Sequence, residues 1–142
     1  MTVSARSVAY ETIRAVHDSD AYANLLLPRA ISRAGLAAAD AALATELTYG
    51  TLRRQGTYDA IIGVAADRDV ADIDPAVLDA LRLGAHQLLS TRIASHAAVN
   101  ETVGLVRDAV GRGATGFANA VLRRISRDTP GEWMSRIEQV GR

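Results

Sequence analysis

Apolar residues along this chain recur at intervals of three and four, the spacing that lines one face of an α-helix. Ala5, Ala9, Ile13 and Val16 mark a first helix over 4–17, ended by Asp18-Ser-Asp20. A second covers 24–33, with Gly35 as a left-handed stop. Pro28 is expected in or near its first turn, where a missing N–H costs least. Leu43, Leu47 and Gly50 align along a long helix over 38–55, and Gly56 bends the chain before a helical 58–66. Asp74-Pro75 predicts a sharp start: a carboxylate cap, then proline at the first helical position. Val77, Leu78, Leu81, Ala85, Leu88 and Leu89 give that helix an apolar face wide enough for a central position. Ser95 is expected to cap the next helix, which carries Val99, Val103, Val106 and Val110 and closes at Gly111. Phe117, Val121 and Ile125 line the last major helix, over 116–127. Pro130-Gly131 marks an exit, and 133–140 suits one more short helix. No run alternates at period two. The expected fold class is all-α, a compact bundle of two helical halves, 1–66 and 75–127, joined by the acid-rich 67–74.

Composition agrees with that picture. The chain has 142 residues, enough for one domain, and is 49% hydrophobic but only 4% aromatic. Its core must therefore be built from Leu, Val, Ile and Ala, a mixture that suits packed helices better than sheets. No stretch has the 18 or so uninterrupted apolar residues of a membrane span. The first fifteen residues lack the basic-then-apolar order of a signal peptide. A cytoplasmic protein is expected. Cysteine is absent, which removes disulfides, thiolate metal sites and cysteine nucleophiles together.

Charge changes the picture only when it is located. Net charge is zero and the pI is 6.8, well below the basic balance that marks many nucleic-acid binders. All sixteen cationic side chains are arginine, a residue that grips phosphate with two prongs and stacks on bases. Residues 67–95 carry a balance of −2, with Asp67, Asp69, Asp72, Asp74 and Asp79 against three arginines. Residues 96–127 carry +3, with five arginines against Glu101 and Asp108. The surplus falls on the closing helices.

Several motifs resemble chemistry. Gly111-Arg-Gly113-Ala-Thr-Gly116 spells the dinucleotide fingerprint, but that motif works after a strand, and here it follows a helix. It reads as an interhelical loop, whose N–H groups and Arg112 can still meet a phosphate at the next helix start. The aspartate run 67–74 puts Ala71 and Asp72 where a calcium loop needs an oxygen ligand and glycine. It reads as a solvated linker. His17, His86 and His96 lie on separate elements, so no metal ligand set is expected. Arg53-Arg54 and Arg123-Arg124, with Arg127 a turn beyond, sit at helix ends, where the dipole favours cations whatever their function. Surface-facing members would instead hold phosphates. Phe117, the only phenylalanine, suits either the core or a stacking ring for an unpaired base. Asn100 and Asn119 are polar positions in otherwise apolar helices.

The segments Ala98-Val-Asn-Glu101 and Phe117-Ala-Asn-Ala-Val-Leu-Arg-Arg124 resemble the closing helix pair of the NusB-like family of helical RNA-binding domains. Asn24-Leu-Leu-Leu27, Glu46-Leu-Thr-Tyr-Gly-Thr-Leu-Arg53 and Leu81-Arg-Leu-Gly-Ala-His-Gln-Leu-Leu89 extend the likeness over residues 4–127. The wording is most similar to the N-terminal domain of bacterial ribosomal RNA cytosine-C5 methyltransferases, the Sun/Fmu or RsmB branch. The resemblance implies a NusB-like RNA-binding domain over 1–127 and an exit segment over 128–142, leading toward a C-terminal methyltransferase domain. It implies an accessory domain that docks or orients small-subunit ribosomal RNA. The chain itself is then no enzyme, since that chemistry attaches a cysteine to the base. It holds no cofactor; S-adenosylmethionine is expected for the other domain, joined in cis. The RNA-binding set implied is Arg6, Arg53, Arg54, Arg112, Phe117, Asn119, Arg123, Arg124 and Arg127, with no catalytic or metal residue. Two alternatives stay open: a free-standing antitermination factor binding leader RNA and ribosomal protein S10, and an architectural domain that packs on the catalytic domain without touching RNA.

Overall fold

Ser4 opens the first helix, α1 (Ala5–Ser19), with a reciprocal cap. Its hydroxyl accepts from the Ser7 amide at 3.1 Å, and Ser7 Oγ accepts from the Ser4 amide at 2.8 Å. This computed structural model describes residues 3–140, and every regular element among them is helical. Asp20, at φ 53°, ends α1. Helix α2 (Ala23–Ala34) stops at Gly35 with φ 67°, the left-handed stop expected from the sequence. It starts at Ala23, one residue before the expected 24, and Pro28, expected in or near the first turn, is its sixth residue and lies inside the helix. Pro28 has no N–H to give Asn24, but both residues are exposed and water can take the freed carbonyl. Helix α3 (Ala38–Arg53) completes the first compact unit, which ends at Arg53. The three helices pack pairwise around a small core of Ala5, Val8, Leu27 and Ala44.

The second unit begins at Arg54 and holds α4 (Gln55–Ala66), α5 (Pro75–Ser90), α6 (Ser95–Ala109), α7 (Thr115–Ser126) and α8 (Pro130–Val140). This places the division thirteen residues before Asp67, where the acid-rich stretch expected as the joint begins. The reason is packing: α4 buries Tyr58, Ile61 and Ile62 and lies against α5 and α7. The stretch 67–74 is an internal loop with a short 3-10 turn at Val70–Asp72. Asp74 does cap α5, accepting from the Ala76 amide at 2.8 Å, with Pro75 first in the helix.

Helix α5 is central to this unit, packed by α4, α6 and α7, and every residue from 77 to 87 is buried. Its polar residues must then find partners inside. Arg82 donates through Nε to Asp59 Oδ1 at 2.6 Å, through Nη2 to Asp59 Oδ2 at 2.8 Å, and through Nη1 to Asp79 at 2.9 Å. Burial pulls the Arg82 pKa down, but the bonds and charges of Asp59 and Asp79 outweigh it and leave it raised. Tyr58 Oη lies 2.7 Å from both His86 Nδ1 and Ser90 Oγ. Gln87 donates to Thr102 Oγ1 at 3.1 Å, tying α5 to α6. Gly84 lets α7 approach: a Cβ there would stand 2.5 Å from Leu122 Cδ2.

Three local expectations change. Ser95 is the first residue of α6 rather than its cap; Ala94 precedes it, with no side-chain cap bond. Val110 falls past the end of α6 and is 38% exposed, while Val99, Val103 and Val106 are buried. The short helix expected over 133–140 begins earlier, at Pro130, as α8, and is anchored in this unit by the fully buried Trp133. Trp133 Nε1 donates to the Ile125 carbonyl at 2.9 Å.

Candidate nucleic-acid interface

Helices α6 and α7 are joined by a short connection holding a second 3-10 turn, Arg112–Ala114, and pack against each other. Gly111 takes φ 133°, which glycine alone adopts readily, and so permits the reversal. Ala118, Val121, Leu122 and Ile125 face inward on α7. The opposite stripe, Gly116, Ala120, Arg123 and Arg127, is exposed at the helical spacing of four, three and four.

Arg123 and Arg127 are thus presented to solvent together, a turn apart. They line a cleft of about 360 Å³ with Ser95, His96 and Asn100 from the start of α6. Val99 floors it. Among the described residues no carboxylate lines it, and neither guanidinium is taken by an acid. Arg124, next in sequence, is on a different flank and is engaged. It donates to Asp128 at 3.2 Å and stacks 4.9 Å from the Trp133 ring centre. Arg136 holds the same carboxylate at 2.8 Å and covers Trp133 at 5.4 Å. Partial burial works against the Asp128 charge, but the bonds from Arg124 and Arg136 hold its carboxyl below the usual carboxylate range. Arg124 therefore fastens α8 to α7.

The other sequence candidates fall elsewhere. Phe117 is partly buried in the first turn of α7, and the guanidinium of Arg68 lies 4.6 Å from its ring centre. The ring is already partnered by a cation that sequence reasoning did not single out. About 9–15 Å of helix separates Phe117 from Arg123 and Arg127, so they form two ends of one helix rather than one cluster. Arg112 is exposed in the connection, at the Phe117 end of α7, and Asn119 is partly buried on α7. Arg54 is exposed and borders a different, more apolar pocket of about 250 Å³ with Tyr58, Leu89 and Met134. Arg53 is exposed at the end of α3 and Arg6 is partly buried on α1, both in the first unit. Ser95, His96 and Asn100 lay outside the candidate set. Asn100 stands out in the sequence only as a polar position in an otherwise apolar helix, and Ser95 and His96, at a helix start, read as ordinary solvent-facing positions. Of the dinucleotide-like glycines, Gly111 and Gly113 lie in the interhelical connection and Gly116 in the first turn of α7, with a helix rather than a strand before them.

Comparison with known proteins fits this architecture. The model of the NusB family matches residues 3–127. A Mycobacterium tuberculosis protein named "Putative methyltransferase" is 49% identical over 133 residues, covering 94% of this chain but 29% of its own length. Ribosomal RNA small subunit methyltransferase B of Pseudomonas putida is 33% identical over 123 residues, covering 87% of this chain and 28% of the relative. The chain thus spans less than a third of these relatives. Among solved structures, a chain in the crystal structure of antitermination factors NusB and NusE with double-stranded RNA superposes with a TM-score of 0.78. That match is 20% identical and covers 87% of this chain and 93% of the other, a likeness of fold. With its helical order, its α6–α7 closing pair and a family match over nearly the whole length, the chain belongs to the NusB family.

Proposed function

We propose that this chain is the RNA-docking domain of a ribosomal RNA (cytosine-C5) methyltransferase, which brings small-subunit ribosomal RNA to a catalytic domain in the same polypeptide. The observation that carries it is the exposed α7 stripe. Among the described residues no acid pairs with Arg123 or Arg127, in a chain whose net charge is zero. The identity to methyltransferases over most of this chain, and a small part of theirs, supports the branch. The catalytic cysteine and S-adenosylmethionine belong, on this reading, to the remainder of the protein; this chain supplies phosphate contacts and orientation. A local patch of three to five phosphate contacts gives weak binding, on the order of micromolar, with a log–log salt slope of about −2 to −5.

The test is binding of the full 142-residue chain to small-subunit ribosomal RNA fragments across a salt series. Arg123→Ala with Arg127→Ala should flatten the slope by about one per lost contact. Phe117→Leu should weaken contacts to unpaired bases at constant slope. Absence of salt-sensitive binding even at low ionic strength would reject RNA docking and favour an architectural domain. The fold likeness to NusB supports one other reading, a free-standing antitermination factor. Tight binding of ribosomal protein S10, with a gain in RNA affinity in that complex, would establish it instead.

A further inference from the structure

The α6–α7 cleft is lined by chemically distinct groups. Arg123 and Arg127, exposed a turn apart, both line it, with no acid among the lining residues. The nearest acid in sequence, Asp128, is held by Arg124 and Arg136 and so does not neutralise them. The start of α6 also borders it: its first ladder bond runs from the Ala98 amide to the Ala94 carbonyl, and no side chain caps the amides before it. Those amides and the helix dipole favour an anion. Val99, buried, provides an apolar floor, and His96 and Asn100, one turn apart on α6, supply further polar groups. The volume of about 360 Å³ falls in the range of small-ligand sites. A bare phosphate would leave the apolar floor and Asn100 unused, and a neutral heterocycle would leave two arginines without a counter-charge.

We infer that this cleft takes a single unpaired nucleotide of the RNA. Its phosphate lies on Arg123, Arg127 and the start of α6; its base lies over Val99 with its edge toward His96 and Asn100. The inference deepens the RNA-docking reading, and it rests on that reading for the source of the nucleotide. It implies that the domain grips unpaired RNA at this end of α7, independently of the Phe117 end.

The experiment is a two-dimensional amide and arginine side-chain NMR titration of the full chain. The ligands are uridine 5′-monophosphate, uridine, inorganic phosphate and a short unstructured oligoribonucleotide. The monophosphate should shift Ser95, His96 and Asn100 and the Arg123 and Arg127 side chains at millimolar concentration. Phosphate and uridine should each bind more weakly than the monophosphate. The oligoribonucleotide should shift the same resonances at lower concentration. Arg123→Gln with Arg127→Gln should weaken monophosphate binding about tenfold or more. Asn100→Ala should narrow the gap between monophosphate and phosphate. Both variants alter exposed side chains, and an unchanged melting curve confirms their fold. Equal binding of phosphate and monophosphate, or an unaffected double variant, would overturn the nucleotide site. If the oligoribonucleotide binds while these resonances stay still, the cleft inference falls and RNA docking stands. If the monophosphate binds as described but ribosomal RNA fragments do not bind, the nucleotide site holds and RNA docking is the reading that fails.

Discussion

Arg123 and Arg124 are neighbours in sequence, and the 100° step of the helix gives them opposite work. Arg123 is exposed beside Arg127, whereas Arg124 bridges to Asp128 and lies on Trp133. Arg123→Ala should therefore weaken RNA binding with a flatter salt slope and leave the melting temperature within a degree or two. Arg124→Ala should do the reverse, lowering stability by about 1–2 kcal/mol through a lost ion pair and cation–π contact. Paired salt titrations and denaturant curves on both variants decide it; equal loss of RNA affinity would contradict this division. Asp128 adds a pH signature. Its pKa is lowered in the folded state, so its contribution is fully present above the ordinary carboxylate value of about 4 and is lost as pH falls through the lower folded value. Asp128→Asn should thus unfold at lower urea than the natural chain near pH 7. The difference in midpoint should shrink as the two are compared from about pH 5 downward. A difference that stays constant with pH would mean the carboxylate charge is not what holds α8.

Helix α8 shows how one side chain can recruit an element. Its interior anchor is Trp133, fully buried and hydrogen-bonded to the Ile125 carbonyl at the end of α7. Of its other large apolar residues, Met134 is 44% exposed and Ile137 only partly buried. Trp133→Ala should cost about 3–5 kcal/mol, the range for removing a large buried aromatic, measured by urea unfolding followed with circular dichroism. Amide exchange in 130–140 should rise to near unprotected rates in the same variant. Retention of protection there would show that α8 is held by something other than this ring. The effect belongs to the element because α8 has few other buried positions among its described side chains.

For the whole molecule, the expectation concerns what the chain does not carry. All regular structure among the described residues is helical and the sequence has no cysteine, so neither a nucleotide-binding sheet nor a thiolate nucleophile is available here. Calorimetry with S-adenosylmethionine should give no saturable heat up to high micromolar concentration, and the chain alone should transfer no methyl group to ribosomal RNA. Saturable micromolar binding would mean that the glycine-rich α6–α7 connection, or another pocket, holds the cofactor after all.

Helical class, the Asp74 cap, the Gly35 stop and the positive surplus on the closing pair were all determined by sequence alone, because each follows from local geometry. Periodicity reports which face is apolar, a carboxylate before proline reports a helix start, and glycine reports a left-handed turn. The tertiary structure decided the rest. Whether 55–66 joins the first or second unit depends on what Tyr58, Ile61 and Ile62 are buried against, and spacing is silent on that. Asp79, Arg82, His86 and Gln87 look like surface positions in sequence, but burial of α5 turns them into an internal polar network. Phe117 and Trp133 acquire their arginine partners from residues as far as 49 positions away. The division of Arg123, Arg124 and Arg127 between a cleft and a clasp required knowing what stands opposite each flank of α7. A sequence records which side chains share a helix face; only packing supplies the group across from that face, and the group opposite is what makes an arginine structural or leaves it free for a phosphate.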